Sequence, residues 1–242
     1  MGKEYYIASC VFTMRFPALS QVIRDYITTR WQIPIVRCCV PKYMLKEFAN
    51  KLPAAYQDKW RALPDCAAFE AGDTVYSLCH NCSNIVEEMR PGVIVKSLWE
   101  LILQDENFPL PNCAGLKATV QDCWRSRDRT DEQDAVRELL RKMHVELVEL
   151  PDNREKTDFC GISLYRPQPP RNPAVAPKHY KENIGNKFEP HTLEEQKAIM
   201  QEYCKRYKTD TVICYCHYCL EGLALVDIDS RHIANMLFGN RE

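Results

Sequence analysis

Cysteines recur in register with a repeated order of strand-like and helix-like segments, and this register constrains the fold more than any other feature. The first half runs from "YYIASC" through "IPIVRCC" to "DTVYSLCHNC", with helical stretches between these segments. The second half runs from "KATVQDC" through "VELVELP" and "FCG" to "DTVICYCHYC" in the same order. A short strand-like segment, "GVIVKS" in the first half and "ALVDIDS" in the second, and then a helical segment close each half. The repeat predicts two similar units with cysteines at matching points.

Apolar periodicity indicates which segments are helices and which are strands. In "DAVRELLRKM" the apolar residues are spaced by three and four positions, which places Val136, Leu139, Leu140 and Met143 on one helical face. "TVYSL" and "TVICY" are short, rich in β-branched or aromatic residues and preceded by an Asp-Thr turn signal, as is typical of strands. Alternating strands and helices favour mostly parallel sheets.

We therefore expect an α/β fold with two pseudo-repeated, Rossmann-like, cysteine-rich domains. The boundary is expected in the proline-rich segment "NFPLPNCAG", which gives domains of residues 1–110 and 111–242. A proline-rich basic insertion at residues 162–190 interrupts the second domain. It is interpreted either as a solvated extended loop or as a lid or docking arm over the cysteines.

Nine of the 13 cysteines follow predicted strands, where open α/β sheets build their ligand sites. The odd cysteine count and the absence of a recognisable export signal argue against a disulfide framework. A lone Cys-x-x-Cys fits zinc, a thiol redox pair or an iron–sulfur site, but its recurrence with further cysteines favours metal ligation. The predicted ligands are Cys10, Cys38, Cys39, Cys79 and Cys82 in the first half, and Cys123, Cys160, Cys216 and Cys219 in the second.

The remaining cysteines and the histidines of the Cys-x-x-Cys loops are interpreted separately. Cys66, Cys113 and Cys204 have no counterpart across the repeat and are expected to be structural. Cys214 would share a strand face with Cys216, so it is a further candidate ligand of the second site. His80 and His217 are interpreted as solvated loop residues, with hydrogen bonding to sulfur as the alternative.

Charge and hydropathy exclude several classes of partner. A formal net charge of -1 gives no electrostatic footprint for nucleic acid. No apolar run approaches the roughly 18 residues of a membrane span. The N-terminal "MGKEYYIASCVFTMRFP" does not have the pattern of a signal peptide, so a cytoplasmic location is expected.

The combined cysteine pattern resembles the tandem cysteine-rich "CCG" domain of heterodisulfide reductase and of the small iron–sulfur proteins of lactate utilisation and glycolate oxidation. The resemblance covers nearly the whole chain and is carried by "SC", "CC" and "CHNC" in the first half and by "QDCWRSRD", "FCG" and "CYCHYC" in the second. "HIANMLFG" is similar to the family's closing helix. The chain departs from the family pattern at two residues. Val40 stands in place of a glycine, and Phe159 stands in place of the first of the second pair of cysteines.

The resemblance implies the cofactors and the site roles. The five first-half thiols Cys10, Cys38, Cys39, Cys79 and Cys82 would hold a noncubane [4Fe–4S] cluster as the reactive centre. The four remaining thiols of the second site suit a cubane [4Fe–4S] cluster or zinc. Metal clusters are thus expected at the carboxyl ends of the strands in both domains.

Three functions follow as expectations. The first is an iron–sulfur redox protein that reduces a disulfide or related sulfur substrate, which makes the chain an oxidoreductase or a component of one. The second is an electron-transfer component of a lactate- or glycolate-type dehydrogenase complex, and the third is a zinc-stabilised, non-redox scaffold. Because the chain has no flavin or nicotinamide motif, the first two require a redox partner protein that supplies electrons.

Overall fold

The computed structural model describes residues 2–40, 45–167 and 172–239, without the side chains of residues 45 and 46. The described chain divides into two compact units. Unit 1 comprises residues 2–98 with residues 238–239, and unit 2 comprises residues 99–237. The boundary expected from the sequence lies further along the chain, in the linker before the second sheet.

Unit 1 is built on a parallel sheet that has four strands within the described residues. Its order is β2-β1-β3-β4, so the first strand lies inside the sheet and its neighbours come from later in the chain. The strands are β1 Glu4–Ile7, β2 Ile35–Val36, β3 Thr74–Ser77 and β4 Ile94–Ser97. The helices of the first repeat are α1 Cys10–Arg15, α2 Pro17–Tyr26, α3 Leu45–Lys51, α4 Ala54–Arg61, α5 His80–Met89 and α6 Leu98–Leu103.

Unit 2 repeats this arrangement over the residues that the structure describes. Its four parallel strands have the order β6-β5-β7-β8, which is the order of unit 1 shifted by four strands. The strands are β5 Lys117–Gln121, β6 Glu146–Leu147, β7 Thr211–Cys214 and β8 Asp229–His232. The helices are α7 Thr130–Lys142, α8 Leu193–Cys204, α9 His217–Leu223 and α10 Ile233–Phe238. The predicted α/β class with two pseudo-repeated, Rossmann-like domains is confirmed.

The central strands form the core of each unit, as expected for parallel strands with helices on the sheet. Every residue of β7 is buried, and four of the five residues of β5 are buried. The predicted apolar face of α7 packs inward, since Val136, Leu139 and Leu140 are each at most 1% exposed. The central strands are therefore buried in the core of each unit, and the segments that follow them start from this buried position.

The closing strand of unit 2 differs from its predicted position. The sequence favoured a strand within "ALVDIDS", but residues 224–228 form turns that close α9, with Val226 N–H donating to the Leu223 carbonyl. Strand β8 begins at Asp229 instead, where pairing with Thr211 of β7 starts. Register against β7, and not local hydropathy, sets the start of this strand.

The described part of the insertion belongs to unit 2 and contributes buried side chains to it. Tyr180 lies in a short π-helical turn, Lys178–Glu182, and is 3% exposed. Ala176 and Ile184 are buried as well. The interpretation of these residues as a solvated loop was therefore wrong, because their apolar side chains contribute to the core. Residues 168–171, among them the basic Arg171, lie outside the described residues.

None of the helices in the described chain is long and apolar enough to span a membrane.

Candidate metal centres

The five predicted first-site cysteines come from three strand ends of unit 1. Cys10 begins α1 directly after β1, and Cys38 and Cys39 follow β2. Cys79 caps α5 after β3, and Cys82 lies in the first turn of that helix. Because parallel strands end at the same edge of a sheet, these three segments start side by side.

The five thiols of unit 1 belong to one interacting group. Cys10 is hydrogen-bonded to Cys38, and Cys82 is hydrogen-bonded to both Cys39 and Cys79. Electrostatic interactions of Cys10 with Cys79 and Cys82 link the two groups. Four of the thiols are at most 9% exposed, whereas Cys39 is only partly buried. The predicted first-site residues thus form one contiguous group.

Crowding and burial raise the pKa of the Cys10 and Cys79 thiols. Its hydrogen bond with Cys38, together with burial, raises the pKa of Cys10 well above its ordinary value. The pKa of Cys79 is likewise raised, first by its hydrogen bond with Cys82 and then by burial. Crowded, buried thiols of this kind stay protonated until a cation replaces their protons.

Backbone and hydroxyl donors point at the sulfurs of unit 1. The Ser9 hydroxyl and the Cys82 N–H both donate to Cys79, and the Val11 N–H donates to Cys10. Ser9 is fully buried and has a φ of 54°, a conformation that is uncommon for a residue other than glycine. Donors of this type stabilise the thiolate form of a cysteine and orient it as a ligand.

In unit 2, hydrogen bonds join three of the four predicted cysteines, and the fourth, Cys160, interacts with the group electrostatically. Cys219, in the first turn of α9, is hydrogen-bonded to Cys123 and to Cys216. Cys160 joins this group through electrostatic contact with Cys123, and its own sulfur accepts from the Leu164 N–H. All four are at most 3% exposed, so this group is more deeply buried than the group in unit 1.

Two glycines hold the Cys160 loop against α9. Gly161 has a φ of 62°, and a Cβ at this residue would lie 1.9 Å from the Tyr218 carbonyl oxygen. A Cβ at Gly222 would lie 2.5 Å from the Gly161 Cα. The backbone of the loop therefore touches the backbone of the helix that carries Cys219, which only glycine allows. The motif "FCG" includes this glycine, but its packing partner cannot be recognised from the motif.

A buried arginine at the second group was missed by the sequence analysis. The Arg125 guanidinium lies over the rings of Trp124, Tyr218 and Tyr180, at 4.8, 5.1 and 5.9 Å from their centroids. Burial acts to lower the pKa of Arg125, but the negative forms of Cys123 and its other neighbours raise it overall. The residue was visible in "QDCWRSRD" as a basic residue two positions after Cys123.

A buried ion-pair network fixes the strand ends that carry Cys123 and Cys216. Asp122 accepts from Arg137 Nη2 at 2.7 Å and from the Tyr215 hydroxyl at 2.7 Å. Arg137 also donates through Nε to Glu149 at 2.6 Å. Since Asp122 and Tyr215 directly precede two of the thiols, this network ties the neighbouring ends of β5 and β7 together.

The structure also places the residues whose roles the sequence left undecided. The ring of Phe159 stacks on Tyr203 with centroids 4.4 Å apart. Cys214 is fully buried at the end of β7 and lies in electrostatic contact with Cys123 and Cys216, so it remains a candidate ligand. The interpretation of His80 and His217 as solvated was wrong, since they are 3% and 2% exposed. Each begins the helix that follows its strand, and that position is enclosed.

Comparison with known proteins gives only distant structural neighbours. No family model matches the chain, and a search of curated proteins gave no match. A glutamate racemase from Francisella tularensis subsp. tularensis SCHU S4, in complex with D-glutamate, has a TM-score of 0.32 at 10% identity, covering 98% of this chain and 78% of that one. A glutamate racemase isoform from Bacillus anthracis has a TM-score of 0.30 at 10% identity, covering 98% and 79%. An aspartate racemase homologue from Pyrococcus horikoshii OT3 has a TM-score of 0.31 at 12% identity, covering 98% and 96%.

This comparison corrects the functional expectation. The three neighbours described above are two racemases and a racemase homologue. On this finding the expected iron–sulfur redox function, with its disulfide reduction, electron transfer and oxidoreductase class, is contradicted and is not carried forward. At these TM-scores the likeness does not assign racemase activity to the chain either. The electron-supplying partner and the disulfide or thiol substrate remain predictions from the sequence.

Proposed function

We propose that this chain is a metal-binding protein with one thiolate-ligated centre in each unit. The observation that supports it best is the contact between thiols from three separate strand ends in unit 1, through the Cys10–Cys38 and Cys39–Cys82 hydrogen bonds. All 13 cysteines, which lie within the described residues, are free thiols. Buried free thiols that converge in this way fit metal ligation better than a set of apolar core residues, which needs no thiol contacts.

The donor sets suit different groups at the two centres. Five contiguous thiols in unit 1 fit the noncubane [4Fe–4S] cluster that the resemblance implies. Cys123, Cys160, Cys216 and Cys219 in unit 2 fit a cubane [4Fe–4S] cluster or zinc, both of which take four thiolates. When bound, such a group replaces thiol protons by metal–sulfur bonds and thereby contributes free energy of folding.

The residues around the thiols have separate tasks in this proposal. The Ser9 hydroxyl and the Val11 N–H hold the sulfurs of Cys79 and Cys10 by donated hydrogen bonds. The Gly161–Gly222 contact carries Cys160 to α9. Each thiol must lose its proton to become a ligand, so binding should weaken as the pH falls.

Metal analysis of protein purified without oxygen tests the proposal. We expect about 8 iron with acid-labile sulfide per chain if both centres are four-iron clusters, or about 4 iron and one zinc otherwise. A chain that holds neither iron nor zinc after anaerobic reconstitution would contradict the proposal.

Single cysteine variants test whether the two centres are separate. Cys82→Ala is expected to lose only the first centre, since Cys82 contacts both Cys39 and Cys79. Cys219→Ala is expected to lose only the second, by the same reasoning for Cys123 and Cys216. The control is Cys113→Ala, which should keep both. If either variant loses all bound metal, the centres are not independent.

We further propose that the resemblance to the tandem CCG domain reflects a shared arrangement of two cysteine sites. We also propose that the chain is cytoplasmic. A reducing compartment keeps dense free thiols available as ligands. Neither proposal requires the redox activity that the resemblance implied.

A further inference from the structure

The second group of thiols has a cation built into its wall. Arg125 is 5% exposed and is therefore held away from solvent, where a guanidinium would otherwise be hydrated. It stands two positions after Cys123 and lies over the ring of Tyr218, which comes between Cys216 and Cys219 in the chain. Its electrostatic partners include the sulfurs of Cys123, Cys216 and Cys160. In unit 1, by contrast, Cys10 and Cys82 interact with other thiols, and burial also acts on them.

Three aromatic rings keep the guanidinium in place. Trp124 comes from the segment that follows Cys123, and Tyr218 comes from α9 between Cys216 and Cys219. Tyr180 comes from the insertion, so the insertion supplies the third ring. Cation–π contact with several rings fixes both the position and the plane of an arginine. The cage is therefore made largely by the same segments that carry the thiols.

A four-thiolate centre creates an electrostatic problem that a buried arginine solves. Four thiolates around zinc, or around a four-iron cluster core of charge about +2, leave a net charge of about −2. Burial of such charge is unfavourable unless a counter-charge is close, because little water reaches the site. A buried guanidinium that interacts electrostatically with three of the sulfurs offsets half of this charge.

We propose that Arg125 is a positioning residue that compensates the thiolate charge of the second centre and so retains its metal. This inference depends on the proposed function, because it requires metal in unit 2. It also gives the insertion a role, since Tyr180 covers the guanidinium.

Zinc affinity of the reduced, metal-free chain tests this inference by competition with a chromophoric chelator. The second-site component is identified as the one that Cys219→Ala removes. Arg125→Met should weaken zinc binding at the second site by at least about 10-fold, in line with residues that support metal ligands, and leave the first site unchanged. Arg125→Lys keeps the charge, and an ammonium is also attracted to aromatic faces, so this variant should stay within about threefold of wild type if charge is what retains the metal.

Arg166→Met is the matched control. Arg166 lies 5.1 Å from the same Tyr218 ring and pairs with Glu221 at 2.5 Å. The variant therefore shows what is lost when a contact with this ring and a nearby ion pair are removed. It should leave both zinc affinities unchanged. Circular dichroism of each metal-free variant reports whether the fold is kept.

The outcomes separate the two proposals. A wild-type second site that takes up neither zinc nor, after anaerobic reconstitution, iron contradicts the proposed function. Wild-type affinity in Arg125→Met, or an equal loss in Arg125→Met and Arg125→Lys, overturns the role of Arg125 alone. If Arg125→Met does not fold, Arg125→Lys is compared with wild type. In that case a loss greater than about 10-fold overturns the role and retention supports it.

Discussion

Replacing Gly161 by alanine is expected to destroy the second centre and to destabilise unit 2 by about 4 kcal/mol, a loss reached only by a few kinds of core change. The left-handed backbone, with φ of 62°, accounts for the smaller part. The larger part comes from the added Cβ, which would meet the Tyr218 carbonyl oxygen at 1.9 Å. To relieve this overlap, the Cys160 loop would have to move away from α9, the helix that carries Cys219.

Chemical denaturation and metal analysis would check this expectation. Gly115→Ala is the control, since Gly115 in the same unit has a φ of 88° but nothing within 4 Å of an added Cβ. It should cost about 1 kcal/mol through conformation alone and leave the metal content unchanged. If both variants lose the same stability, close backbone contact is not what holds the Cys160 loop.

Arg137→Met is expected to lower the free energy of unfolding by about 3–5 kcal/mol, because it leaves a buried carboxylate without its partner. The Arg137 and Asp122 side chains are both 0% exposed and are 2.7 Å apart. Loss of this pair should also loosen the strand ends before Cys123 and Cys216. Urea denaturation at neutral pH would measure the change.

Arg141→Met on the same helix is the control for the loss of Arg137. Its partner Glu138 lies at 2.9 Å, but both side chains are exposed, at 56% and 44%. An exposed pair of this kind contributes about 0–1 kcal/mol. Similar losses in the two variants would contradict a special role for the buried network.

The same network gives stability a dependence on pH. Hydrogen bonding and charge from Arg137 outweigh burial and hold the pKa of Glu149 below its ordinary value of 4.5. A depressed folded-state pKa gives stability that is present above the unfolded value and is lost as the pH falls through the folded value. Wild type should therefore lose stability below about pH 4.5, and Arg137→Met should lose less over that range because the Glu149 contribution is already gone.

The sequence by itself determined which segments become central strands and which residues follow them. "TVYSL" and "TVICY" carry their strand preference locally, and both become buried central strands of parallel sheets. Because parallel strands end at the same edge of a sheet, cysteines that follow successive strands in the sequence are expected at that one edge. The sequence therefore predicted which cysteines follow neighbouring strands of one sheet, and their role as ligands stays a prediction.

Only the tertiary structure decided the surroundings of those thiols. The Gly161–Gly222 contact, the aromatic cage of Arg125 and the hydrogen bond of Tyr215 to Asp122 each join segments far apart in the chain. Such contacts depend on how helices and loops pack on the sheet, and short-range patterns carry no record of that packing. The start of β8 was decided in the same way, because a strand exists where a neighbour offers hydrogen bonds in register, whatever the local hydropathy.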